Sequence, residues 1–358
     1  MRIIRRSNLK IVELPLIVEI SENARKSVNA ILDELDVSGV VMLTGKKSYE
    51  VMGKEVEKSV FEYLVEKFFV EKPSMDEIRK IEVKLGYFSE IDCVIGVGGG
   101  KVLDVAKVLA TEINAAFISI PTVASHDGIA SPVASFKEGG KPVSITTKPP
   151  AAVLADLTVL RHSPIRLLRS GYGDLISNIT AVKDWQLARE KVGESFNEVA
   201  ASMAVLPANL MLSNAEVLDL REVKYLEMLI RGLTLSGVAI SIAGSSRPAS
   251  GAEHKFSHAL DYLNYGFGTH GEQVAIGTII MEYLHEKHYG VGNWEKIRNS
   301  LEKIQAPTTA KEIGLSKEQI LEALEYAKKI RKKRYTILED VNPTKDEFEM
   351  VLKKTGII

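Results

Sequence analysis

The chain has 358 residues, of which 45% are apolar and 26% charged; that is long enough for two domains and ordinary for a globular protein. Its formal net charge of −1 excludes a one-sign field directed at nucleic acid or a membrane surface. A single cysteine, Cys93, excludes a disulfide framework and fits a reducing cytoplasm.

Residues 1–20 are basic but lack an apolar core before a small-residue cleavage site, so no leader is expected. No apolar run is expected to reach the roughly 18 residues that cross a bilayer. Residues 22–35 then show helical spacing. VVMLTG (40–45) reads as a buried strand, and KFFVEK (67–72), IDCVIGVGGG (91–100) and AAFISIPT (115–122) as three more. Residues 47–64, 74–88 and 101–113, which separate these strands, are amphipathic at helical spacing. Such alternation predicts a parallel sheet with helices on both faces and ligands at the carboxyl ends of its strands. Residues 131–157 read as β-hairpin material closing this half.

Beyond Leu160 the strand-like runs stop. Helical patterns occupy 164–190, 196–218, 222–244, 252–263, 271–288, 293–304, 316–334 and 344–354. An α/β domain over residues 1–160 and an all-helical domain over 161–358 follow, with the boundary between Asp156 and Pro164 and the active cleft between the halves. The charge run KKIRKKR (328–334) is expected to be a solvated helix face.

Gly96-Val97-Gly98-Gly99-Gly100-Lys101 joins a strand to a helix. Bare backbone N–H groups at a helix N-terminus suit a pyrophosphate. The run departs from the G-x-G-x-x-G fingerprint, because Lys101 replaces the third glycine. Thr122-Val123-Ala124-Ser125-His126-Asp127-Gly128 follows the next strand and offers hydroxyls, an imidazole and a carboxylate at the same sheet edge.

In the helical half, His254 and His258 are one turn apart on one helix face. His270 follows a glycine-rich turn and opens the next helix. Asp174 sits beside Gly171 and Gly173 in an otherwise apolar helical run, with Asp184 as a competitor. One carboxylate with two or three imidazoles is a donor set for a divalent ion such as zinc. Spacing alone leaves His254 and His258 equivalent.

Together, IGVGGGKVLDVAK, IPTVASHDGIASP, SGYGDLISN, GSSRPASGAEHKFSHALD and GTHGEQVAIG resemble the polyol dehydrogenases related to iron-containing alcohol dehydrogenases, most of all their archaeal sn-glycerol-1-phosphate branch. The resemblance covers nearly the whole chain. It implies a Rossmann-like first domain, an NAD(P)H cofactor and one Zn2+ per subunit held by Asp174, His254 and His270. It implies that Gly98, Gly99, Gly100, Lys101 and Val102 bind the cofactor pyrophosphate, with Asp104 next in the motif. Thr122, Val123, Ala124, Ser125 and Ser131 would line the nicotinamide side. Asp127 and His258 would touch substrate and carry the proton, with Asp174 also counted at the substrate. The implied substrate pair is dihydroxyacetone phosphate and sn-glycerol 1-phosphate, for archaeal ether lipids, in a cytoplasmic homo-oligomer. A plain glycerol dehydrogenase and a dehydroquinate-synthase-like lyase are the alternatives. A substrate phosphate would need a cation: Arg247 is the first candidate, ahead of Lys255 and Arg231, unless it pairs with a carboxylate such as Glu253. The Ser125–Gly128 turn is the fallback.

Overall fold

Apolar runs that do not alternate need cover on both faces, and a computed structural model gives it to them. The structure describes residues 12–86, 88, 91–138 and 141–358. The basic start, on which the expectation about a leader rests, lies largely outside them, as does the Gly139-Gly140 turn. The strands are β1 (Ile17–Ser21), β2 (Val40–Thr44), β3 (Leu64–Phe69), β4 (Cys93–Gly98), β5 (Ala116–Pro121), β6 (Val133–Glu138), β7 (Lys141–Thr146) and β8 (Ala152–Asp156). Six make one parallel sheet in the order β1-β8-β5-β4-β2-β3, while β6 and β7 form an antiparallel hairpin. Helices α1 (Val28–Glu34), α2 (Lys46–Ser48), α3 (Lys54–Ser59), α4 (Met75–Leu85) and α5 (Gly100–Glu112) connect the strands of the first half.

Successive strand residues point to opposite faces, and the core divides accordingly. Met42, Ile95, Val97, Ile118 and Leu154 enter one apolar cluster with Val28 and Val56. Leu43, Val94, Phe117 and Val153 enter another, which continues into the helical half through Leu175, Ile230, Ile276 and Leu324. The sheet and the helical half therefore share a core on one face.

Three expectations need correction. First, β3 lies three residues earlier than 67–72, at Leu64–Phe69. It is an edge strand with a register shift against β2 at Val40/Val41, so its burial does not show in the sequence pattern. Second, residues 152–156 are not hairpin material: β8 is fully buried and runs parallel between β1 and β5. Third, β1 was not foreseen, because IVEIS is a half-exposed edge strand.

The second half is helical throughout: α6 (Leu157–Leu160), α7 (Ile165–Val192), α8 (Glu198–Ser213), α9 (Val223–Ala243), α10 (Ala252–Leu263), α11 (His270–Tyr289), α12 (Trp294–Lys303), α13 (Lys317–Ala327), α14 (Ile337–Val341) and α15 (Lys345–Lys354). Contrary to expectation, α9 is long and apolar enough to cross a membrane by length and composition. Here it packs on α8 and α7, with Leu226, Leu229, Ile230 and Leu233 buried. The charge run is not a helix face either. α13 stops at Ala327, Thr336 caps α14, and the turns between them turn Arg331 into the interior cleft.

Candidate metal centre and cofactor cleft

Glycines bring three elements into backbone contact at the site. A Cβ on Gly171 would collide with the Ala124 carbonyl, one on Gly173 with the Gly271 carbonyl, and one on Gly271 with the Ser170 carbonyl. These contacts seat the 122–128 segment and the start of α11 directly on α7. Ser170 Oγ also donates to the Ser125 carbonyl and accepts from Gly271 N. Asp174, one turn along α7, is thereby buried between them, and its Oδ2 accepts from Asp127 N at 2.9 Å.

Asp174 Oδ1 lies 3.8 Å from His254 Nε2 and 3.5 Å from His270 Nε2. One ligand atom from each of the three residues falls within 4.8 Å of the others. Donors about 2.0–2.1 Å from a tetrahedral ion stand about 3.3 Å apart, so little movement is needed to fit one. Asp184, the competing carboxylate, is elsewhere. It accepts from Ala252 N and Ile337 N and lies 3.0 Å from His285 Nε2.

The electrostatics suit a cation. Burial pushes His254 down to about 3. His270 and His258 are also held well below the ordinary histidine range, by burial first. The imidazoles are therefore neutral, the form a metal accepts, and they supply no charge to Asp174. Burial, then the Asp127 charge, raises the Asp174 carboxyl well above its usual range. A buried carboxylate without a fixed counter-charge is one that a divalent ion would hold ionised.

Second contacts orient both rings. His254 Nδ1 is 2.8 Å from Glu253 Oε1, which also accepts from Gly251 N, and this leaves Nε2 toward Asp174. Ser257 Oγ lies 3.3 Å from His270 Nδ1 and donates to Gln273 Oε1. Metal-bound histidines commonly have such partners on the other nitrogen. His258 shares the helix face of His254, but its Nδ1 is buried without a partner.

A cleft of about 650 Å³ brings Gly100, Lys101, Asp104, Asp127, Ser131, His254, His258 and His270 onto one surface. Gly98, Gly99, Val102, Thr122, Val123, Ala124 and Ser125 are not in that lining, and neither is Asp174, which backs it. The glycine run has packing roles as well. A Cβ on Gly98 would strike Val102, and one on Gly100 would strike the His126 ring.

Arg247 does not face the cleft. Its guanidinium is buried on Glu194, with Nε 2.6 Å from Oε1, and it also donates to the Tyr335 carbonyl. The carboxylate that holds it is thus Glu194, not Glu253. Lys255 pairs with Glu339, and Arg231 with Glu227 on the surface. Residue-by-residue reading missed Ser144, Ser246, Ser250 and Arg331, all of which line the cleft. The Thr336-x-x-Glu339 capping box was the available signal, since it ends the charge run in a turn.

Residues 19–164 match a family model described as iron-containing alcohol dehydrogenase. The chain is 61% identical to a glycerol-1-phosphate dehydrogenase (NAD(P)+) of Archaeoglobus fulgidus, over 97% of this chain and 99% of that one. It is 43% identical to the protein of that name from Thermococcus sibiricus, over 98% and 99%. Among solved structures, a probable glycerol dehydrogenase from Sinorhizobium meliloti 1021 superposes with a TM-score of 0.78 at 18% identity, covering 97% of this chain and 98% of that one. Glycerol dehydrogenase from Schizosaccharomyces pombe gives 0.76 at 18% identity, covering 98% and 94%. These two likenesses establish a shared fold.

Proposed function

This chain belongs to the glycerol-1-phosphate dehydrogenase family among the iron-containing alcohol dehydrogenases, and from that premise we propose that it reduces dihydroxyacetone phosphate to sn-glycerol 1-phosphate. NADH or NADPH is the reductant, and the product is the backbone of archaeal ether phospholipids. The observation that carries the reading is the meeting of His254 and His270 with Asp174 at the back of the cleft that begins at Gly100.

With both groups bound, zinc would polarise the C2 oxygen of the substrate as a Lewis acid and the nicotinamide would supply hydride to C2. Asp174, His254 and His270 are the residues that would hold the metal. Three protein ligands leave a position for substrate. Asp127 has its carboxylate fixed by Ser236 Oγ, which donates to Oδ2 at 3.0 Å. His258 presents a neutral imidazole to the same cleft. In this reading these two relay a proton from water to the alkoxide oxygen formed at C2. The start of α5 offers its free N–H groups to a pyrophosphate, with Lys101 beside them.

The same reading takes residues 1–160 as the nucleotide domain and 161–358 as the metal and substrate domain; no strand follows β8 among the described residues. It also takes the enzyme as a cytoplasmic homo-oligomer. Val199, Leu206 and Leu210 form an exposed apolar stripe on α8 that supports self-association. Sedimentation at the mass of one subunit would count against that.

The test is oxidation of NADH and NADPH with dihydroxyacetone phosphate, run beside unphosphorylated dihydroxyacetone, with the product's stereochemistry determined. A preference for the phosphate ester and formation of the 1-phosphate isomer are expected. No preference, or the 3-phosphate isomer, defeats the reading.

A further inference from the structure

We propose that Arg331 is the residue that grips the substrate's phosphate and so sets the enzyme's choice of a phosphomonoester over the free polyol. This deepens the reading above and rests on it.

Arg331 is contributed by the turn after α13 and lines the cleft with His254, His258 and His270. Its backbone holds φ at 45°, a left-handed conformation that costs a non-glycine residue free energy and clusters at functional sites. Its Nη1 donates to Ser250 Oγ at 3.1 Å and its Nη2 to Ser144 Oγ at 2.8 Å. Among the described residues no carboxylate pairs with it, and burial alone lowers its pKa. A half-buried guanidinium answered only by two hydroxyls is short of an anion.

The cations of the helical half first considered for this role, and the neighbouring Arg334, are committed. Arg247 is taken by Glu194, and Lys255 by Glu339. Arg334 donates to the Ser246 and Ser250 carbonyls and to Ser246 Oγ, which fixes the loop against which Arg331 lies. Lys72 and Lys101 also line the cleft, but from the sheet half, where Lys101 begins α5.

The charges in the cleft are arranged to match. Asp127 lines the wall at the metal ligands and puts a carboxylate at the Ser125–Gly128 turn, the wrong sign for a phosphate seat. Arg331 lines the same cleft as the three imidazoles, with Ser250 rather than either aspartate as the partner of its Nη1. Asp261 lines the cleft as well, one turn beyond His258. A ketone at the metal leaves its phosphate in the same cleft, which Arg331 lines, and a guanidinium fork matches two phosphate oxygens. The Ser144 and Ser250 hydroxyls keep their own protons to donate beside it.

The test compares kcat/KM for dihydroxyacetone phosphate with that for dihydroxyacetone in the wild type, Arg331→Met and Arg331→Lys. A wild type without preference for the phosphate ester would defeat the functional reading before Arg331 is changed. Given that preference, the ratio should fall about 30-fold or more in Arg331→Met, the scale of a lost charge-assisted hydrogen bond, chiefly through KM. Arg331→Lys keeps the charge and loses the fork, so its ratio should fall less, by about 10-fold. Competitive inhibition by inorganic phosphate should weaken in the same order. An unchanged ratio in either variant that still binds metal overturns the proposal. So does undiminished inhibition by phosphate.

Discussion

Where β4 runs into α5 at the edge of the cleft, contact is offered by backbone. Gly98 and Gly100 leave no room for side chains, and the offered groups are the N–H donors that open α5. Where the helices meet it, contact is made by side chains: His254, His258, His270 and Arg331 each reach in from a different turn, with Asp174 behind them. A backbone surface can bind what every nicotinamide cofactor shares. A side-chain surface can tell a metal from no metal, and a phosphate from a hydroxyl. The first is damaged by adding atoms, the second by removing them.

The largest effect should come from removing a ligand. His270→Ala leaves two donors, so metal content and turnover should both be lost; a metal-free and fully active variant would break the distinction between the surfaces. Next comes an added methyl at the seam. Gly173→Ala pushes a Cβ against the Gly271 carbonyl, and overpacking of this kind costs about 1–3 kcal/mol. Melting should drop, and metal affinity with it, because Asp174 is carried by the same turn. A variant with full metal affinity and a lowered melting point would show that the seam serves stability alone.

A smaller effect is expected from pH. Glu253 is raised to about 8, by burial and then by Asp184, whereas His254 is pushed down to about 3. In the metal-free protein the proton near neutrality therefore sits on Glu253, and metal on His254 favours its ionised form. Protons then compete with metal below about pH 8, so affinity should go on rising from pH 6.5 to 8. Chelator competition across that range measures it, and Glu253→Gln should flatten the rise. A plateau already above pH 6.5 would point to ordinary histidine titration. The smallest effect concerns the backbone surface. β2 ends at Thr44-Gly45 with exposed Lys46 and Lys47 and no acid to repel a 2′-phosphate. NADPH and NADH should bind within about 100-fold of each other, a gap of roughly 2.7 kcal/mol. A wider gap against NADPH means those lysines do not meet the ribose.

Much of this was legible because it is local. Apolar runs such as 93–98 announce buried strands, and three glycines before a helix announce a turn that admits an anion. The metal ligands were harder. Helical spacing put His254 and His258 on one face but could not rank them; the difference is tertiary, since Glu253 and the Gly173–Gly271 contact aim His254, not His258, at Asp174. β8 was misplaced because AVLAD is too short to say which neighbours it pairs with. Arg331 was out of reach for a related reason. Its neighbours Lys332 and Lys333 are exposed, so composition averages the segment to a polar surface, while a single left-handed residue reverses one side chain.

The segment 122–128 has a consequence for the order of events. His126 leans on Gly100, where the cofactor's pyrophosphate would arrive, and the very next residue gives its backbone N–H to Asp174. A dinucleotide settling at Gly100 would meet the His126 ring, and a shift of that ring is passed one peptide along to the N–H that Asp174 accepts. Occupancy at one end of this strap is thus expected to alter the rate at which metal exchanges at the other. Metal release timed with and without NADPH would read that traffic directly.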